Sequence, residues 1–416
     1  MPPVFMNPAF VDRFHAAYAH CRVIMFSAPC GCGKTTVVPA LLSEQRYIMR
    51  SAADDTFLSP IEPGTKNLVL DDLQLLEDPD EQNQVCQMIR SHPGVKFLLL
   101  SRGAVPGWLM PFGLAGMLEV FETKDFMLDQ ETTRLMLEGN GIHLPTPMLL
   151  AVDRDIRGYP VALMLLCRHL GRKAAYSSAV LDAVKRDLFS YYDESVLRRF
   201  DMPLRRLLLS LAPFENFTVD MAAAVSGDPQ AGLLLGALAQ NTNMLLYDGV
   251  SVYRIYPIFR EFLIWKMERS YSPAEKREFF KRAGLYYELQ DDITHALDCY
   301  ASGGENHKIS ELLEKHATLH PGMGHYYEAE PYYRSLSRED VLSSPALMCG
   351  MSMVCAMTLD FETSEMWYQE LQKYAARLKR TDVEYRDARS KLAYLDIALP
   401  SGAARGSSNS SARCSV

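Results

Sequence analysis

No apolar run in the chain reaches about 18 residues, which excludes a membrane-spanning helix. Residues 1–13 carry Pro2, Pro3 and Pro8 but no basic stretch followed by an apolar one. That lacks the form of a secretory signal, and a cytoplasmic protein is expected. Positive charge is not in excess either: 43 Lys and Arg stand against 51 Asp and Glu, a net charge of -8. The chain as a whole lacks the electrostatic footprint of a nucleic-acid binder, so DNA contact would need a local basic patch. Cysteine pairs at zinc-ligand spacing are missing. The nine cysteines are scattered and odd in number, and Cys30 and Cys32 form only a C-x-C. Reduced thiols are the expectation.

What is present is ordinary globular material. A hydrophobic share of 48% and a charged share of 23% exclude disorder for most of the chain, and 416 residues allow about two or three domains. In the first third, residues 22–27, 46–50, 67–71, 96–101 and 117–121 are rich in Val, Ile, Leu and Phe without alternation. That is the pattern of parallel strands buried on both faces. Helical stretches such as 35–43 and 80–91 lie between them, so a doubly wound α/β sheet is expected over 1–125.

From Asp129 the periodicity is helical, through 130–138, 148–157, 160–170 and 179–190, which predicts a helical lid over 126–200. Three short helices, 204–212, 218–226 and 233–241, precede two strand-like runs, 244–247 and 250–255, around Asp248-Gly249. Three helices and a hairpin make a winged helix, expected over 201–270. Over 271–400 the chain reads as stacked helix pairs of the tetratricopeptide type. Ala283-Gly284-Leu285-Tyr286-Tyr287, then Ala296-Leu297 and Tyr300, places small and aromatic residues where two helices touch. Such arrays present a binding surface. Residues 401–416 are Ser, Gly and Ala with Arg405 and Arg413, a composition expected to stay disordered.

Chemistry concentrates in three places. Ala28-Pro29-Cys30-Gly31-Cys32-Gly33-Lys34-Thr35-Thr36 follows a strand and opens a helix, the context of a Walker A loop. Gly31 and Gly33 let backbone N–H groups turn inward around phosphate oxygens, with the helix dipole behind them. Lys34 is placed to reach the β- and γ-phosphates, Thr35 to ligate Mg²⁺ and Thr36 to touch the α-phosphate. Asn67-Leu68-Val69-Leu70-Asp71-Asp72 has the form of a Walker B strand, with Asp71 a candidate metal ligand and Asp72 a candidate for orienting or deprotonating water. Taken alone, an acidic turn after a strand is also ordinary solvated surface. Arg102 ends the strand Phe97-Leu98-Leu99-Leu100-Ser101 at the ligand edge, where it can sense a γ-phosphate or simply cap a surface strand. Pro160 in Arg157-Gly158-Tyr159-Pro160 is an ordinary first-turn proline, and its ring is also able to pack on an adenine.

This order of motifs resembles the STAND class of signal-transduction ATPases, in particular the MalT-like branch of large LuxR-family regulators, over roughly residues 23–399. The resemblance implies ATP or ADP with Mg²⁺ as cofactors, a small-molecule or protein inducer, and a nucleotide-dependent homo-oligomer, with slow ATP hydrolysis as a switch. It implies that Pro29, Cys30 and Cys32 belong to the phosphate loop. Where such proteins have a winged-helix His before Pro that contacts bound diphosphate, Tyr256 precedes Pro257 here, and tyrosine cannot carry positive charge. The interval from Lys34 to Asp71 is short for the class, and Ala28 stands where the loop motif starts with Gly. No helix-turn-helix pattern follows Ile397, so DNA would be reached only through a further C-terminal domain. An enzyme acting in its own right, and a helical-repeat scaffold with a vestigial nucleotide site, are the alternatives.

Overall fold

Five parallel strands form one sheet: β1 (Val23–Ser27), β2 (Tyr47–Ser51), β3 (Asn67–Asp71), β4 (Lys96–Ser101) and β5 (Leu118–Glu122), in the order β2-β3-β4-β1-β5. The computed structural model describes residues 3–43, 45–171, 175–319 and 326–399, so the tail expected to be disordered lies outside the described residues. All five strands fall within one residue of their expected ends. The three central strands are buried along nearly their whole length, whereas β2 and β5 at the edges are half-exposed. That explains why β2 tolerates an exposed Met49 followed by Arg50.

Each face of the sheet has its own apolar layer. On one, the helix Pro8–His20 sets Phe10 and Phe14 among Phe26, Phe121 and Phe126, with the Phe10 and Phe121 rings 5.2 Å apart. On the other, Val85, Cys86 and Ile89 of the helix Pro79–Ser91 join Leu68, Leu70, Phe97 and Leu99 in a buried cluster. The strand order decides where function can sit. Because β4 lies between β1 and β3, the loop after β1, Arg102 after β4 and Asp72 after β3 emerge side by side at the carboxyl edge.

The unit Met1–Glu268 also contains the lid helices Gln130–Gly139, Thr146–Ile156, Pro160–Leu170 and Ser178–Ser195. Asp129 starts the first by accepting the Thr132 N–H. Gly158, at φ 70°, sits so close to Leu128 that an added Cβ would run into its carbonyl. Next come the helices Met202–Leu211, Val219–Ser226 and Ala231–Asn241, then β6 (Leu245–Tyr247) and β7 (Tyr253–Ile255), a winged helix. One correction concerns its hairpin. The expected strand over 250–255 begins only at Tyr253, because the Asp248 carboxylate accepts the N–H groups of Val250, Ser251 and Val252 and wraps them into a loop. A bridge between Phe217 and Tyr253 adds a third chain to the hairpin, which the sequence did not reveal.

The unit Arg269–Val416 is helical throughout its described residues. Its helices are Pro273–Leu289, Ile293–Gly303, Asn306–Leu319, Tyr326–Ser335, Arg338–Ser343, Pro345–Met357, Phe361–Ala376 and Val383–Ala398. Capping boxes at Ser272 with Glu275, and at Ser337 with Asp340, mark two of the starts. The expected contact between small and aromatic residues is there: a Cβ added to Gly284 would lie 2.5 Å from the Tyr300 ring. Among the described residues no helix is long and apolar enough to cross a membrane.

Gly284→Ala tests that helix contact. Alanine is the better helix former by about 1 kcal/mol, but overpacking against a buried ring costs about 1–3 kcal/mol. At 2.5 Å something must shift, which places the cost in the upper part of that range, about 2–3 kcal/mol, so a net loss of roughly 1–2 kcal/mol is expected in urea unfolding of the full chain. A variant as stable as the parent would show that the Tyr300 ring yields freely.

Candidate functional site

After β1 the chain turns through Ala28 and Pro29 to Gly33 and enters the helix Lys34–Leu41. Gly31 and Gly33 make this turn with φ of 82° and 86°, where other residues are strained. Gly31 is confined as well: a Cβ there would meet Val161 Cγ1 at 2.7 Å and the Tyr159 hydroxyl at 2.9 Å. Lys34 is 7% exposed, and its ammonium donates to the carbonyls of Ala28 at 2.5 Å and Pro29 at 2.9 Å. Burial pulls its pKa down. Among the described residues no carboxylate forms an ion pair with it: its hydrogen bonds go to carbonyls, and Asp71 acts on it only through space, so this buried cation is short of negative charge. The N–H groups of Gly31, Cys32, Gly33, Lys34 and Thr35 likewise have no acceptor among the described residues, and they stand at a helix N-terminus.

Opposite the loop lies the acidic end of β3. The Thr35 hydroxyl donates to Asp71 Oδ2 at 2.9 Å, and Asp71 Oδ1 accepts the Asp72 N–H at 2.7 Å. Two hard oxygens that converge to hydrogen-bond distance fit a small divalent cation such as Mg²⁺. Asp72 adopts a left-handed φ of 58°. Its carboxylate accepts the Ser51 hydroxyl at 3.1 Å and the Gln74 amide at 2.9 Å, and it lies 3.5 Å from the Arg102 guanidinium. Gln74 also accepts the Arg102 N–H at 2.9 Å, tying the two strand ends together.

A cavity of about 510 Å³ opens over these groups. Its far wall is apolar and includes Val4, Phe5, Phe126, Met136, Pro160 and Met164. The N-terminal segment is held there by Asn7, whose amide donates to the Met127 carbonyl at 2.7 Å and accepts the Asp129 N–H at 3.0 Å. Phe5 rests on Gly139, where a Cβ would come within 2.7 Å of the ring. The lid grips the loop directly: the Tyr159 hydroxyl donates to the Cys30 carbonyl and the Val161 N–H to the Gly31 carbonyl at 3.1 Å. Cys30 and Cys32 are buried in the loop, and burial pushes both thiols up, Cys32 to about 12.

The structure brings Cys30, Gly31, Cys32, Gly33, Lys34, Thr35, Thr36, Asp71, Asp72, Arg102 and Pro160 onto this one cavity. Pro29 is not on its wall and contributes a carbonyl to Lys34. Tyr256 is not on it either; its hydroxyl faces the Met127 sulfur at 3.7 Å. Sequence reasoning missed Asn7, Ser51, Gln74, Tyr159 and Val161. Only Tyr159 carried a signal, as the middle residue of the Gly-Tyr-Pro break.

Residues 193–283 match the family model of the MalT winged helix domain, so the likeness to MalT-like proteins drawn from motif order is borne out in that segment. No curated protein matches the chain. Among solved structures it is similar to the Walker-type ATPase of Pyrococcus abyssi, with 14% identity, a TM-score of 0.48, and 62% of this chain and 96% of that one covered. A STAND protein with a tetratricopeptide repeat sensor from Pyrococcus horikoshii aligns at 14% identity and a TM-score of 0.35, covering 96% of this chain and 66% of that one. Domain III of the Thermotoga maritima replication initiation protein DnaA aligns at 15% identity and a TM-score of 0.33, covering 44% and 94%.

Tyr159→Phe should lower unfolding stability by about 1–2 kcal/mol, because it strands the buried Cys30 carbonyl without its donor. Urea titration of the full chain measures this. An unchanged midpoint would show that the loop does not depend on the lid for that bond.

Proposed function

We propose that the cavity binds an adenine nucleotide with Mg²⁺ and that the protein uses it as a switch in signal transduction. The observation that carries the proposal is Lys34, a buried ammonium without an acidic partner, facing open backbone donors at a helix start. A polyphosphate supplies the charge that this arrangement lacks. Thr35 and Asp71 would hold the metal, which would bridge and neutralise phosphate oxygens when bound. The apolar wall with Phe126, Met136 and Pro160 suits a flat base.

Turnover in this reading is slow. Asp72, the residue placed to orient attacking water, is engaged by Ser51, Gln74 and Arg102 together, and water must displace one of these partners before it can be held there. The resemblance to MalT-like regulators supports the rest: an inducer, either a small molecule or a protein, received by the helix pairs of the second unit, self-association that follows the bound nucleotide, and output as transcriptional regulation.

Isothermal titration of the full chain with ADP and with a non-hydrolysable ATP analogue, with and without Mg²⁺, tests the binding. Magnesium-dependent uptake is expected, weakened by roughly 30-fold or more in Lys34→Ala, the loss of a buried charged contact. Absence of uptake by the parent chain would overturn the proposal.

A further inference from the structure

At one place the winged helix grips the carboxyl ends of both β1 and β4. The Arg102 carbonyl accepts the main-chain N–H of Asn243 at 2.7 Å. The Asn243 side-chain amide donates to the Ser27 hydroxyl at 3.0 Å and to the Gly103 carbonyl at 3.1 Å. Ala104 donates its N–H to the Gln240 carbonyl at 3.1 Å, and a Cβ on Gly103 would run into that same carbonyl. Ser27 closes the ring by donating to the Gly103 carbonyl at 2.8 Å, while the Gly103 N–H donates to the Ser101 hydroxyl at 3.0 Å. Ser27, Ser101 and Gly103 are buried, so these polar groups depend on one another rather than on water.

The position of this ring matters more than its strength. Ser27 is the last residue of β1, where the phosphate loop begins, and Arg102 is the cation facing Asp72. The Arg102 main chain is held on both sides, its N–H by Gln74 and its carbonyl by Asn243. Its guanidinium is partly exposed and directed at Asp72. A terminal phosphate in the cavity would offer that guanidinium more charge and more acceptor oxygens than one carboxylate does. Drawn to that phosphate, the guanidinium would pull on the end of β4, where the Asn243 side chain holds the Gly103 carbonyl.

We propose that Asn243 is a positioning residue: it couples the seat of the winged helix to the direction of Arg102 and keeps Arg102 on Asp72 while no terminal phosphate is bound. This deepens the nucleotide binding proposed above and rests on it. The coupling runs both ways. Loosening the winged helix frees Arg102 for a triphosphate, and a triphosphate that draws Arg102 away loosens the winged helix.

The test is a pair of dissociation constants, for magnesium ADP and for a magnesium non-hydrolysable ATP analogue, in the parent chain, Asn243→Ala, Arg102→Ala and the double variant. Asn243→Ala is expected to raise the preference for the triphosphate analogue by about five-fold or more, and to leave that ratio unmoved when Arg102 is already alanine. A ratio within about two-fold of the parent, or an equal shift in both backgrounds, overturns the inference. Should Asn243→Ala fail to fold, Asn243→Ser, which shortens the side chain but keeps a hydroxyl donor, is expected to shift the ratio in the same direction by less, and no shift there overturns the inference equally. A parent chain that binds neither nucleotide overturns the proposed function along with it, an outcome distinct from a parent that binds both and a variant that changes nothing.

Discussion

A positive charge has been taken out of water at Lys34 and given no carboxylate in return. Desolvating an ammonium costs several kcal/mol, and two carbonyl dipoles recover only part of it. Much of the first unit can be understood as the apparatus that keeps that charge in place. The parallel sheet supplies a stiff edge, the glycines let the chain double back tightly enough to sheath the side chain, and Tyr159 and Val161 of the lid fasten the loop's carbonyls outward. With those carbonyls occupied, the N–H groups of the same loop, on residues that line the cavity, have no acceptor among the described residues.

The remaining groups at the site are paired among themselves. Thr35 is paired with Asp71, and Asp72 with Ser51, Gln74 and Arg102. These pairs draw on three strand ends, of β2, β3 and β4, and on the first turn of the helix Lys34–Leu41, so a ligand that recruits any one of them disturbs its neighbours. The lid and the N-terminal segment close over the same edge through Asn7 and Phe5. In the switch proposed above, a bound nucleotide would offer these groups a second set of partners.

The sheet was readable because five short apolar runs without alternation have few other ways to be buried, and three of their carboxyl ends, those of β1, β3 and β4, carried residues with obvious chemistry. The winged helix was readable from its helix spacing, but its hairpin was not. Asp248-Gly249 suggested a tight turn, whereas three N–H groups gather on one carboxylate and open a longer loop. The braces of the site were invisible for a different reason. Tyr159 reaches Cys30 across 129 residues and Asn243 reaches Ser27 across 216; Tyr159 was marked only by its place in the Gly-Tyr-Pro break, and Asn243 belongs to no local pattern that sets it apart from the chain's other asparagines. Pro160 attracted attention as a ring beside an adenine, while the residues on either side of it make the bonds to the loop.

The thiols of the phosphate loop show what burial does to reactivity. Lys34 draws the pKa values of Cys30 and Cys32 down, and Arg102 adds its pull on Cys30, yet the loss of solvent outweighs these charges and leaves both higher than an ordinary thiol. Sulfur attacks electrophiles and peroxides as the anion, and at neutral pH these two remain almost wholly in the protonated form. The loop can therefore carry two buried sulfurs against the cavity and still be slow to oxidise: here cysteine serves as a small greasy spacer beside glycines, and its chemistry is kept asleep.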